Sequence, residues 1–203
     1  LLLLPGLGAD ADLFGPQAEA FPGLRVPTWI PPRPGESLHA YGERLAAAVD
    51  LPREGPYVLG GFSFGGQVAQ AMLPHLARKP ALLLLLCGVR GRHQYTPAFV
   101  WQERLARPIP AIVQKALYGA YAAAFARRDG LDAPLASRLR RMASRIDPAF
   151  LAWSAGACAR WPGPGDGCGV PVWHLHGERD AVIPDTRREA THRLAGAGHL
   201  ITW

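Results

Sequence analysis

The chain has 203 residues, 49% of them apolar and 19% charged, with a formal charge of +6. That is the length of one ordinary domain, with enough apolar material to bury a core. The longest apolar run, Ala81 to Cys87, is strand-sized and excludes a membrane-spanning helix. The positive charge is dispersed and almost all arginine, Lys79 and Lys115 being the lysines, without the interleaved aromatic and basic residues of a nucleic-acid binder.

In chain order, Leu1–Leu4 reads as a buried strand. It lacks a basic flank, is too short for a signal peptide and leads straight into the turn Pro5-Gly6-Leu7-Gly8. Leu24–Ile30 reads as a second strand. After Ser37, which can cap a helix, Leu38, Tyr41, Leu45 and Val49 recur at helical spacing on one face. Tyr57–Phe62 is a third strand, and the segment after it carries Val68, Met72 and Leu76 on a helix expected to run to Pro80. Ala81–Cys87 and Val170–His176 complete a set of apolar runs buried on both faces, as a parallel sheet demands. Strands alternating with helices predict an α/β fold with a doubly wound, mostly parallel sheet.

Residues 93–160 break the alternation. They hold no convincing strand and at least two helices, one striped by Ile112, Val113, Leu117, Tyr121 and Phe125, the other by Leu135, Leu139, Met142 and Ile146. Arg138, Arg141 and Arg145 fall mostly on the opposite side of the second. A helical insertion between two strands predicts a small lid over a core of residues 1–92 and 161–203. Its aromatics Tyr95, Phe99, Trp101, Tyr118 and Tyr121 are candidates to wall an apolar substrate pocket, or to fill the lid's own small core. Pro162-Gly163-Pro164-Gly165 returns the chain to the sheet. Thr191–Leu194 reads as a short last strand.

The most informative segment is Gly61-Phe62-Ser63-Phe64-Gly65, with a strand before it and a helix after it. A strand that turns sharply into a helix holds a serine in a strained conformation, and a side chain at either flanking glycine would collide with the neighbouring elements. The hydroxyl then stands at the carboxyl end of the strand, where the helix N-terminus points its N–H groups. A serine used this way needs a base to take its proton and an acid to orient the base. Asp180, just past the strand ending at His176, faces the same sheet edge; Glu178 is a weaker candidate because it lies closer to the strand. Of seven histidines, His39 and His75 lie on helices, His93 starts the lid, His174 and His176 lie on a strand, and His192 falls in Thr191–Leu194. His199 follows the flexible Gly196-Ala197-Gly198 and completes the order Ser, Asp, His. An oxyanion hole needs two N–H groups. Phe64, after the serine, is one candidate; Leu7, with Gly8 as the alternative, is the other.

These four motifs, Pro5-Gly6-Leu7-Gly8, Gly61-Phe62-Ser63-Phe64-Gly65, Gly177-Glu178-Arg179-Asp180 and Gly196-Ala197-Gly198-His199-Leu200, span nearly the whole chain. Together they resemble the α/β-hydrolase superfamily, specifically its small, lidded, single-domain esterases and thioesterases. The resemblance implies a Ser63 nucleophile, a His199 base, an Asp180 orienter, oxyanion donors at Leu7 and Phe64, and no metal or organic cofactor. The implied activity is hydrolysis of a small carboxylic ester or thioester through an acyl-enzyme. The same triad also serves acyltransferases, peptidases and lyases, and a non-catalytic binding protein could keep the fold. The chain departs from the family where Pro5-Gly6 replaces the common His-Gly. It also leaves only about ten residues between Asp180 and Thr191, too few for the usual crossover helix. Four residues follow His199 and the first strands are missing, so a compact variant and a truncated chain both fit. Cys87, Cys158 and Cys168 have no metal-ligand spacing, and their odd number predicts a reducing, cytoplasmic setting. Oligomeric state is not legible.

Overall fold

A computed structural model of the chain describes residues 1–95, 101, 105, 108–165, 168–184 and 189–203. Five strands, β1 (Leu2–Leu4), β2 (Val58–Phe62), β3 (Leu82–Leu86), β4 (Val172–Gly177) and β5 (His192–Leu194), form one sheet in sequence order. Every neighbouring pair is parallel, in the register Leu2 to Leu59, Gly60 to Leu84, Leu86 to Leu175 and Gly177 to Leu194. Strands β1 to β3 are covered on both sides, as the apolar runs predict. Side chains alternate across a strand, so Leu2, Leu4, Leu59, Leu83 and Leu85 enter one core while Leu3, Phe62 and Leu86 enter the other.

The first core is closed by α2 (Leu38–Ala48) and α3 (Phe64–Met72). Ser37 caps α2 through the Ala40 N–H, at 3.2 Å, and the expected stripe Leu38, Tyr41 and Leu45 is the buried one. The second core is closed by a 3₁₀ turn at Ala11–Phe14, which leads into the short α1 (Gly15–Ala20), and by two of the three α-helices that the described residues form between β3 and β4. These three are α4 (Ala111–Arg128), α5 (Ala133–Arg145) and α6 (Pro148–Arg160). Asp132 and Asp147 cap α5 and α6 through the N–H groups of Leu135 and Phe150. Phe125 of α4 and Leu139 and Met142 of α5 meet Leu3 and Phe62, whereas α6 places Phe150, Ala157 and Cys158 in the first core. Each fully buried leucine contributes roughly 1.5–3 kcal/mol, so the leucine-rich strands account for much of the fold's cohesion.

Four expectations need correction. Leu24–Ile30 is not a strand: Arg25 alone bridges Leu2, exchanging bonds with Leu1 and Leu3. The next ladder donor would be residue 27, and Pro27 has no N–H to give. The helix after Ser63 ends at Met72 in a 3₁₀ turn, Leu73–His75, rather than at Pro80. Pro74 cannot donate to Gln70, and Leu73 takes that carbonyl instead. On α4, Ile112, Val113, Leu117 and Tyr121 are exposed, and the buried positions are Ala122, Phe125 and Ala126. Alanines let α4 lie close to its neighbours, which rotates the larger apolar residues outward. Burial on both faces holds for β1 to β3 but lapses at the β5 edge, where Trp173 is exposed and leans on His192. Among the described residues no helix is long and apolar enough to cross a membrane.

Candidate active site

β2 delivers Phe62 to the carboxyl edge of the sheet, and the chain turns at Ser63 into α3. Ser63 has φ 52° and ψ −117°, a region that costs a non-glycine residue about 1–3 kcal/mol. Its N–H donates to the Leu86 carbonyl at 2.8 Å and its carbonyl accepts from Gly66 at 3.0 Å, which holds the strained residue in place. The turn is as tight as the motif requires: a Cβ on Gly65 would overlap the carbonyls of Leu4 and Pro5. That contact sets the start of α3 directly against the Pro5–Gly8 turn.

On the other side of the edge, β4 ends at Gly177 and a short turn presents Asp180. The turn is sewn to the last segment of the chain, Glu178 N–H donating to Leu194 at 3.1 Å and Arg179 N–H to Ala197 at 2.9 Å. Asp180 is buried, and both of its oxygens are engaged. Oδ1 accepts the N–H groups of Val182 and Ile183, both at 2.9 Å. Oδ2 accepts from His199 Nδ1 at 2.7 Å, and His176 Nε2, whose N–H is directed chiefly to the Ile183 carbonyl at 2.6 Å, lies 3.1 Å from the same oxygen. Glu178 is exposed, so of the two acids weighed from sequence only Asp180 meets a histidine. Burial alone would raise the Asp180 carboxyl, but the hydrogen bonds from His176 and His199 outweigh it and hold the group well below the ordinary carboxylate range.

The sign of that shift is testable. A folded-state value below the unfolded one, about 3.9, stabilises the fold at every pH above that value, and the contribution fades as pH falls below it. In an acid titration of unfolding free energy, the wild-type chain is expected to lose stability more steeply below about pH 4 than Asp180→Asn. Parallel curves would show that Asp180 is not the depressed group.

His199 is buried between rings, 4.9 Å from Phe62 and 6.4 Å from Phe125 between centroids. With Nδ1 turned to Asp180, its Nε2 has no partner among the described residues. Among the described residues no hydrogen bond joins Ser63 to His199. The Cys87 thiol lies beside this pair, its sulfur within 4.8 Å of ligand atoms of both Asp180 and His199. Burial pushes that thiol up, so it stays protonated. The N–H groups of Leu7, Gly8 and Phe64 have no partner among the described residues.

The aromatic residues proposed from sequence to wall a pocket are dispersed. Tyr95 is tied to Gln67 and Cys158 on the α3 side, at 2.9 and 2.6 Å. Tyr118 donates to the Leu7 carbonyl, Tyr121 is exposed against Phe125, and Trp101 is exposed. Phe99 lies outside the described residues. A cleft of about 230 Å³ opens beside Gly8 and Ala9, walled by Trp29, Ile30, Met142, Ile146 and Phe150; neither Ser63 nor His199 lines it. Trp29 stacks on Phe150 at 5.4 Å, and Phe150 meets Phe64 edge-on at 6.3 Å. Sequence reasoning missed His176 as a second partner of Asp180. The available signal was a histidine at the strand end, four residues before the acid.

The model of the alpha/beta hydrolase family matches residues 1–203. No curated protein matches the chain. Among solved structures, a thermophilic esterase from Thermogutta terrifontis is 22% identical, with a TM-score of 0.76, covering 98% of this chain and 82% of its own. A carboxylesterase structure from Nitrososphaera gargenis is 17% identical with a TM-score of 0.73, covering 99% and 83%. MenH from S. aureus is 15% identical with a TM-score of 0.73, covering 98% and 84%. At these identities the likeness is one of fold.

Proposed function

The chain belongs to the alpha/beta hydrolase family, as an α/β-hydrolase enzyme, and from that premise we propose that it is a serine hydrolase cleaving a small carboxylic ester or thioester through Ser63, His199 and Asp180. The observation that carries the reading is the buried pair of His199 Nδ1 and Asp180 Oδ2 at 2.7 Å, with the other Asp180 oxygen fixed by two backbone N–H groups.

The steps follow from the donors and acceptors. Ser63 Oγ attacks the carbonyl carbon as its proton passes to His199 Nε2. The imidazolium so formed is stabilised by Asp180, which stays ionised and holds the ring's orientation. The N–H groups of Leu7 and Phe64 hold the oxygen on which negative charge develops, each worth about 3 kcal/mol in the transition state. His199 then protonates the leaving alcohol or thiol, and an acyl-Ser63 remains. Water, deprotonated by His199, attacks the acyl carbon and releases the acid.

In this reading residues 1–92 and 161–203 form the catalytic core, and 93–160 form a helical lid that contributes to the substrate site. An uncharged, apolar part of the substrate occupies the cleft beside Gly8. A cavity of about 150 Å³ takes benzene, so one of about 230 Å³ takes a ring or short chain of somewhat larger size. Three free cysteines suit a reducing, cytoplasmic setting.

Labelling with a fluorophosphonate tests the assignment. The modified peptide is expected to contain Ser63, with no label on Ser63→Ala. A folded wild-type chain that takes no label, or takes it elsewhere, overturns the reading.

A further inference from the structure

We propose that Tyr118, on α4, is a positioning residue for the oxyanion hole, its hydroxyl orienting the Leu7–Gly8 peptide. The proposal rests on the serine-hydrolase reading and adds to its donors the Gly8 N–H, the alternative to Leu7 at this turn, as the one that Tyr118 orients.

The Pro5–Gly8 turn contains two peptide planes whose carbonyls are both engaged. The Gly6 carbonyl accepts from Ala9 N–H at 3.1 Å, and the Leu7 carbonyl accepts from the Tyr118 hydroxyl at 2.7 Å. In a planar trans peptide the N–H points opposite to the C=O. Fixing the Gly6 carbonyl therefore fixes the direction of the Leu7 N–H, and fixing the Leu7 carbonyl fixes that of the Gly8 N–H. Those two N–H groups are the ones without a partner among the described residues. One is held by the turn itself; the other depends on a side chain brought from more than a hundred residues away.

The contact is close. Gly8 sits at φ +74°, and a Cβ there would overlap the Tyr118 ring and hydroxyl. Tyr118, itself partly buried, packs beside Tyr121, at 6.4 Å between centroids, and against the core that holds Phe62. Burial raises the Tyr118 phenol, which therefore stays a donor. A hydrogen bond to a carbonyl also polarises its peptide, making the N–H on the same plane a better donor. The turn is thus completed from outside, by α4, and the hole is fully oriented only while that helix is docked.

Tyr118→Phe keeps the ring and removes the hydroxyl. The variant would be measured on a p-nitrophenyl ester, and against a trifluoromethyl ketone that adds to Ser63 and places an oxyanion in the hole. Loss of one oxyanion donor costs about 10²–10³ in rate, and a misoriented one less, so kcat is expected to fall about 10- to 100-fold. KM should be little changed, and the ketone's inhibition constant should rise by the same factor as kcat/KM falls. A variant with a lowered melting temperature but wild-type kcat and ketone affinity would reduce Tyr118 to a packing residue and overturn the proposal. If the wild-type chain neither turns over esters nor takes fluorophosphonate at Ser63, the serine-hydrolase reading fails first and this inference with it.

Discussion

Ser63→Ala is expected to lower kcat about a million-fold, and Asp180→Asn about ten-thousand-fold, as in other serine hydrolases built on such a triad. The double variant should be no slower than Ser63→Ala alone, because the groups act as one unit. The Asp180→Asn figure follows from the bonding around that residue. Asp180 accepts Val182 and Ile183 N–H at one oxygen and His199 at the other, with His176 Nε2 3.1 Å from that second oxygen. An asparagine can accept at one end only. If its oxygen keeps the two backbone N–H groups, its NH₂ faces His199, which must then present Nδ1 as an acceptor. The proton moves to Nε2, and the base can no longer take the Ser63 proton. The fold is retained while the tautomer is wrong. Steady-state rates on an ester, with circular dichroism to show that each variant is folded, are the check. An Asp180→Asn protein within tenfold of wild type would mean that His199 is not oriented by Asp180.

The same residues show how much was legible in the sequence. The turn at Ser63 could be read because its demands are local: an apolar run, two glycines within two residues of a serine, and a helix pattern after it. The order of Ser63, Asp180 and His199 along the chain was equally plain, and the structure brings the latter two together. Where the reading failed, one residue usually overrode a pattern. Leu24–Ile30 has strand composition, but Pro27 interrupts the ladder beside Leu3. Val68, Met72 and Leu76 keep helical spacing, yet Pro74 ends α3 early. On α4 the large apolar residues suggested the wrong face, because close packing selected the alanines. Other features are set by tertiary contact alone. Nothing in the spacing says that Trp29 stacks on Phe150, or that Tyr118 meets Leu7.

Gly177→Ala is expected to damage both the site and the fold, because of where β4 meets the loop that carries His199. A Cβ on Gly177 would overlap the Gly198 carbonyl and lie 2.6 Å from that of Ala197. Both contacts are to backbone, so no side-chain rotation relieves them. The loop cannot simply yield, since Arg179 N–H is bonded to the Ala197 carbonyl and Glu178 N–H to Leu194. Moving residues 197–198 outward carries His199 away from Asp180, a pair that now stands at 2.7 Å. Overpacking of this kind costs about 1–3 kcal/mol of stability, and a displacement near 1 Å at a catalytic group costs about 10²-fold in rate. Urea unfolding and ester turnover would be measured together, with Gly23→Ala as the control, since nothing lies within 4 Å of a Cβ placed there. A Gly177→Ala protein that keeps its rate would show that the loop can shift without moving the imidazole, and that the bond to Asp180 rather than the close approach at Gly177 positions His199.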